Sequence, residues 1–122
     1  MKHIILLVDD DKDILSLMKE SLEDLSFDVI AVDSVQSAVE KINSHTIDCL
    51  VTDISMPEMN GVELAQVYRR KLGDSAPLFF ITAYMDYSRD ELNAYNPNAI
   101  MFKPFDFEEA AILIKNYFLR KT

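Results

Sequence analysis

The chain has 122 residues, enough for one domain with its own core. Hydrophobic residues make up 49% and charged residues 27%, a globular balance rather than a disordered one. The formal charge of −9 argues against direct nucleic-acid binding and against docking on an anionic membrane surface.

The first apolar run, Ile4 to Val8, is far shorter than the ~18 to 20 residues of a spanning helix. It leads straight into Asp9-Asp10-Asp11 with no small-residue cleavage site, so no secretory signal is expected. A single cysteine, Cys49, cannot form an internal disulfide, and a cytoplasmic location is the expectation. With two glycines and four prolines there is no linker composition, and the reading is one domain over residues 1–122.

In chain order, short apolar or β-branched runs at 3–8, 29–32, 47–52, 78–82 and 100–102 predict five strands. Between them, apolar residues recur at helical spacing. The sets are Leu15, Met18, Leu22 and Leu25; Val35, Ala38, Val39 and Ile42; Val62, Ala65 and Tyr68; and Phe107, Ala110, Ala111, Ile114 and Phe118. Asn60 with Glu63, and Asp106 with Glu109, read as helix N-caps, and Gly73 as a helix stop. The segment 86–95 is the weakest helix, with Leu92 and Tyr95 as its apolar residues after Tyr87.

Five strand–helix pairs imply a parallel sheet covered on both faces. The commonest solution is an α/β, flavodoxin-like doubly wound five-stranded sheet of order 2-1-3-4-5 with five helices. In that order ligands bind beyond the carboxyl ends of strands one and three. Strand one ends in Asp9-Asp10-Asp11, strand three in Thr52-Asp53, strand four in Thr82-Ala83 and strand five in Lys103-Pro104. Carboxylates, a hydroxyl and an ammonium from distant parts of the chain thus converge on one rim, whereas Asp33-Ser34 on the outer strand falls away from it.

Bare, Asp9, Asp10 and Asp53 would repel one another, and some of their pKa values would rise. A hard cation such as Mg²⁺, with its oxygen ligands, relieves that repulsion. One carboxylate could then attack phosphorus to give an aspartyl phosphate. Lys103 and Thr82 suit the phosphoryl oxygens. Taken singly, these residues have ordinary explanations: an acid cluster suits a helix N-terminus, and Asp11 is read as such a cap. Structural or solvated roles are assigned to His3 and His45, and a buried apolar role to Cys49.

The run Ile4-Ile5-Leu6-Leu7-Val8-Asp9-Asp10, the segment Val51-Thr52-Asp53-Ile54-Ser55-Met56-Pro57-Glu58-Met59-Asn60-Gly61, Thr82-Ala83 and Lys103-Pro104-Phe105 together resemble the receiver domain of two-component response regulators. The resemblance covers Lys2 to about Lys121. It implies that Asp53 is the phosphoacceptor, that Asp9, Asp10, Asp53 and the backbone carbonyl of Ser55 hold Mg²⁺, and that Thr82 and Lys103 serve the phosphoryl group. It also implies a cis peptide before Pro104. The implied donor is a sensor histidine kinase or a histidine phosphotransfer protein. The output would pass to a downstream protein or tethered effector domain through the fourth helix, fifth strand and fifth helix.

One position departs from the family. Many receivers have an aromatic residue three places before the lysine, and here it is Ile100. Tyr84, two residues after Thr82, is expected to limit water access to the phosphoryl group. Phe105 is the loop residue singled out for partner contact. The domain is read as a signalling phosphoacceptor, with self-catalysed phosphorylation and autodephosphorylation, rather than an enzyme. Two other readings stand beside it. One is a phosphorylation-independent adaptor of the same fold. The other is a Mg²⁺-dependent phosphohydrolase of the haloacid dehalogenase type, suggested by Asp9-x-Asp11, although Asp13 stands where that motif expects Thr or Val.

Overall fold

The computed structural model describes residues 2–54, 56, 61–83 and 89–121, the last without its side chain. Five strands alternate with five helices: β1 (Ile4–Val8), α1 (Lys12–Asp24), β2 (Asp28–Val32), α2 (Val35–Ser44), β3 (Cys49–Asp53), α3 (Gly61–Leu72), β4 (Leu78–Thr82), α4 (Arg89–Asn93), β5 (Ala99–Phe102) and α5 (Phe107–Lys121). All strand pairs are parallel, in the order β2-β1-β3-β4-β5, as the sequence implies.

Strand alternation divides the core into two layers. Leu6, Val8, Leu50 and Phe80 face a cluster with Ala38 and Ile42 of α2, Leu64 and Tyr68 of α3, and Leu92 of α4. Ile5, Leu7, Val51, Phe79 and Ile81 face Met18 and Leu22 of α1 and Ala111 and Ile114 of α5. Every residue of β3 and β4 is buried, which is why those runs carry little polar alternation. Each fully buried Leu, Ile or Phe contributes roughly 1.5–3 kcal/mol of transfer free energy.

Local signals set the helix ends. Asp11 caps α1, its carboxylate accepting from the amides of Asp13 and Ile14. Ser34 caps α2 through the amide of Ser37, and Asp106 accepts from the Glu109 amide. Gly73, at φ +96°, follows α3 in the left-handed conformation and returns its amide to the Arg69 carbonyl. The weak helix is five residues long, with Leu92 buried within it and the Tyr95 ring edge-on to Phe80. Asn60 lies outside the described residues.

Four of the five strands shift a boundary by one or two residues, and only β4 keeps both. β3 begins at Cys49 rather than Ile47, because the Asp48 carboxylate and amide pair with the Ile4 amide and carbonyl below the sheet. β1 begins at Ile4, after His3, whose ring stacks on Phe118. His45 is exposed and paired with Ser44, and Cys49 is fully buried. The structural roles expected for all three hold.

The start of α3 is locked to the end of β3. The Gly61 amide donates to the Ile54 carbonyl at 2.8 Å, and a Cβ on Gly61 would fall 2.1 Å from the Asp53 carbonyl oxygen. Backbone on both sides leaves nothing flexible to yield. Gly61→Ala is therefore expected to cost about 3 kcal/mol and lower the thermal midpoint by roughly 10 °C. A wild-type melting curve would contradict this packing.

Candidate functional site

Four strands deliver the site. Asp9 follows β1, Asp53 ends β3, Thr82 ends β4 and Lys103 follows β5. Parallel pairing aligns these ends: Val8 is in register with Thr52, Asp53 with Ile81, and Thr82 with Phe102. The Lys103–Pro104 peptide is cis, as the resemblance implies.

The Lys103 ammonium lies 3.0 Å from Asp53 Oδ2 and 3.4 Å from Asp9 Oδ2. Both carboxylates are buried, while Asp10 beside them is exposed. One oxygen each from Asp9, Asp10 and Asp53 fits within a 4.8 Å cluster. Asp9 Oδ1 accepts the Asp11 amide at 2.9 Å, while among the described residues its buried Oδ2 has only the longer 3.4 Å ion pair to Lys103. Three carboxylates against one ammonium leave an excess of negative charge.

That imbalance shows in the proton affinities. Burial pushes the Asp9 carboxyl up to about 6. The Asp11 amide opposes this rise, the Asp53 charge adds to it, and Lys103 opposes it. Burial alone would lower the Lys103 pKa, but its hydrogen bond and charge attraction to Asp53, with the charge of Asp9, raise it above the ordinary value. Lys103 thus stays cationic. The donor set suits a hard divalent cation: oxygen ligands only, excess negative charge, and a buried Asp9 oxygen met only by the long 3.4 Å contact to Lys103.

Thr82 is fully buried, and its hydroxyl donates to the Ala83 carbonyl at 3.0 Å. The Asp53 backbone is further held by the Thr52 hydroxyl, which donates to its carbonyl at 2.8 Å. Asp11 is a cap, and Ser34 serves α2, away from the rim. Ser55 and Tyr84 lie outside the described residues. Phe105 is half-buried, edge-on to Phe107 against the α1/α5 side of the core. A surface cavity of about 660 Å³ beside Gln66, Arg70 and Tyr95 holds none of these reactive groups.

Sequence reasoning gave no role to Gly61, although Gly at the head of a helical pattern signals close backbone approach. It also missed Arg69, whose guanidinium donates to the carbonyls of Asp74, Ala76 and Asn96. No local pattern announces that contact; Arg69 reads only as a base in the last turn of a helix.

The sequence profile described as the response regulator receiver domain matches residues 5–115. The chain belongs to this family. A receiver domain is the signal-receiving module of response regulators in two-component systems. The chain is 33% identical over 120 residues to the transcriptional regulatory protein CrdR of Helicobacter pylori, covering 97% of this chain and 56% of that one. It is 30% identical over 112 residues to the response regulator ArlR of Staphylococcus saprophyticus, covering 91% and 50%. The chain spans about half the length of these curated relatives. Among solved structures, the response regulator TrrA of Thermotoga maritima, in complex with Mg²⁺-BeF, superimposes with a TM-score of 0.82 at 33% identity, covering 95% of this chain and 98% of that one. A CheY-like receiver domain from Methanospirillum hungatei shares the fold, with a TM-score of 0.88 at 23% identity and coverages of 98% and 96%. No helix among the described residues is long and apolar enough to cross a membrane.

The raised Asp9 pKa has a thermodynamic consequence. The folded chain holds the Asp9 proton more tightly than the unfolded chain, so this group favours folding below pH 4 and loses that contribution as pH rises toward and past 6. In chelator, Asp9→Asn removes the penalty. Its stability advantage over wild type is expected to grow by roughly 1–1.5 kcal/mol between pH 5 and pH 7.5. Denaturant unfolding at the two pH values measures it, and a pH-independent difference would contradict it.

Proposed function

We propose that this receiver domain accepts a phosphoryl group on Asp53 in a Mg²⁺-dependent reaction, from a sensor histidine kinase or a histidine phosphotransfer protein. One observation carries the reading. The Lys103 ammonium is held 3.0 Å from the Asp53 carboxylate and shared, at 3.4 Å, with a buried oxygen of Asp9.

A carboxylate oxygen of Asp53 attacks phosphorus, the bond to the donor imidazole nitrogen breaks, and the electron pair leaves with the imidazole. The Lys103 ammonium, cationic at neutral pH, balances charge on a phosphoryl oxygen. The Thr82 hydroxyl turns from the Ala83 carbonyl to donate to another. Asp9, Asp10 and Asp53, with the Ser55 backbone carbonyl, would hold Mg²⁺. Bound there, the ion would supply the positive charge that lets the acids coexist with an anionic phosphoryl group. Phosphorylation adds roughly −1.5 to −2 of charge, less the carboxylate charge consumed.

Such a domain is a phosphoacceptor rather than a turnover enzyme, although it would also react with small phosphoryl donors and dephosphorylate itself. Residues 1–122 act as one receiver unit in the cytoplasm. Output passes through the α4–β5–α5 face to a downstream protein or tethered effector domain. The intact acid set disfavours a phosphorylation-independent adaptor.

Incubation with acetyl phosphate and Mg²⁺, followed by intact-mass measurement, tests the reading. One hydroxylamine-labile phosphoryl group is expected, absent in Asp53→Asn and in chelator. Lys103→Ala should slow its formation by ~10²-fold. Undiminished labelling of Asp53→Asn would contradict the assignment. So would ester turnover that needs Asp9 but not Asp53, which would favour a phosphohydrolase.

A further inference from the structure

Away from the acidic rim, toward the opposite ends of the strands, a cavity of about 660 Å³ opens between α3 and the turn that follows α4. Its walls are small or flat. Ala65 and Ala94 leave the room, and the half-buried Tyr95 ring forms one side. That ring meets Phe80 edge-on, at 81° and 6.4 Å between centroids. Gln66 and Arg70 of α3 line the mouth, both exposed. Among the described residues neither side chain has a hydrogen bond or ion pair.

The cavity is cationic in an anionic chain. The last turn of α3 carries Arg69, Arg70 and Lys71. Against them stand the carbonyl end of the helix, worth roughly half a negative charge, and Asp74, the one acid of the lining. A positive surplus remains, although the chain as a whole carries −9. Arg69 keeps its charge, because its guanidinium donates only to the neutral carbonyls of Asp74, Ala76 and Asn96. The bond to Asn96, at 2.9 Å, also pins the turn beside Tyr95, so the cavity is formed before anything enters it.

We propose that this cavity binds a planar aromatic anion of the purine nucleotide class, with adenine the best-matched base. The Tyr95 ring offers a stacking surface for the base. Gln66 presents an amide donor and acceptor side by side, the pair that matches the adenine edge. Arg70 takes the phosphate in charge-assisted hydrogen bonds. The volume suits a small-molecule site, for which about 300–1,000 Å³ is usual. An inorganic anion would leave Tyr95 and the apolar walls unused, and an uncharged base would leave Arg70 unused. None of these residues belongs to the acidic rim, so the site is independent of the phosphoacceptor reading.

The test is an amide NMR titration of the whole chain with AMP, adenosine or inorganic phosphate. Chelator is present throughout, so that no metal recruits phosphate to Asp9 and Asp53. AMP should shift the amides of residues 65–72 and 94–96, with a Kd on the order of 100 µM, since an open cavity holds a ligand of this size below the best efficiency. Adenosine and phosphate should each bind roughly ten-fold more weakly. Arg70→Gln should weaken AMP roughly ten-fold and leave adenosine unchanged. Tyr95→Leu should weaken AMP and adenosine alike, by about five-fold or more. Arg70→Gln alters an exposed side chain, so it decides the matter even where Tyr95→Leu loosens the contact with Phe80. AMP that shifts no amide of this cavity would overturn the proposal. Phosphate that binds as tightly as AMP, or wild-type AMP affinity in Arg70→Gln, would overturn it too. An acidic peptide that displaces AMP at lower concentration would make the cavity a protein dock and overturn it as well.

Discussion

One ammonium shared between two buried carboxylates governs this structure. Asp53 and Asp9 stand at the ends of adjacent strands, out of water, and Lys103 reaches both. Burying a charge is costly unless it is paired. Here pairing is incomplete: one ammonium serves two carboxylates, reaching Asp9 only at 3.4 Å, and Asp10 adds a third acid at the mouth. The site is thus charged but unfinished. That is a poor arrangement for stability and a suitable one for receiving a cation and an anionic group together.

The fold brings this conflict about through register. Parallel pairing across β1, β3, β4 and β5 sets the four strand ends level. Close contact between the Gly61 backbone and the Asp53 carbonyl fixes the last residue of β3 from behind. The two core layers pack against opposite faces of the sheet and hold those ends in place.

Much of this was legible in the sequence. Runs such as Leu78 to Thr82 read as strands because both faces are buried, and the stripes through Met18 and Leu22 or Ala38 and Ile42 read as helices because one face is. Strand order followed from the βα alternation, and order brought Asp9, Asp53, Thr82 and Lys103 to one rim. What escaped was not local. Adjacent acids look alike in sequence, yet Asp9 is buried and Asp10 exposed. Asp48 falls inside the run read as the third strand but trims β3 by pairing with Ile4 across 44 positions. Arg69 and Arg89 find partners 27 and 13 positions away that no periodicity announces. Side-chain direction at strand ends and long-range arginine contacts are decided by tertiary packing.

The central claim is that the buried Asp9 carboxylate is left in electrostatic deficit until a cation arrives. Carboxyl-carbon NMR titration of Asp9, with and without Mg²⁺, measures that deficit at the atom concerned. The account predicts a midpoint near 6 in chelator, falling below the ordinary carboxylate range when Mg²⁺ is added. A metal-free midpoint at the ordinary aspartate value, unmoved by Mg²⁺, would contradict it.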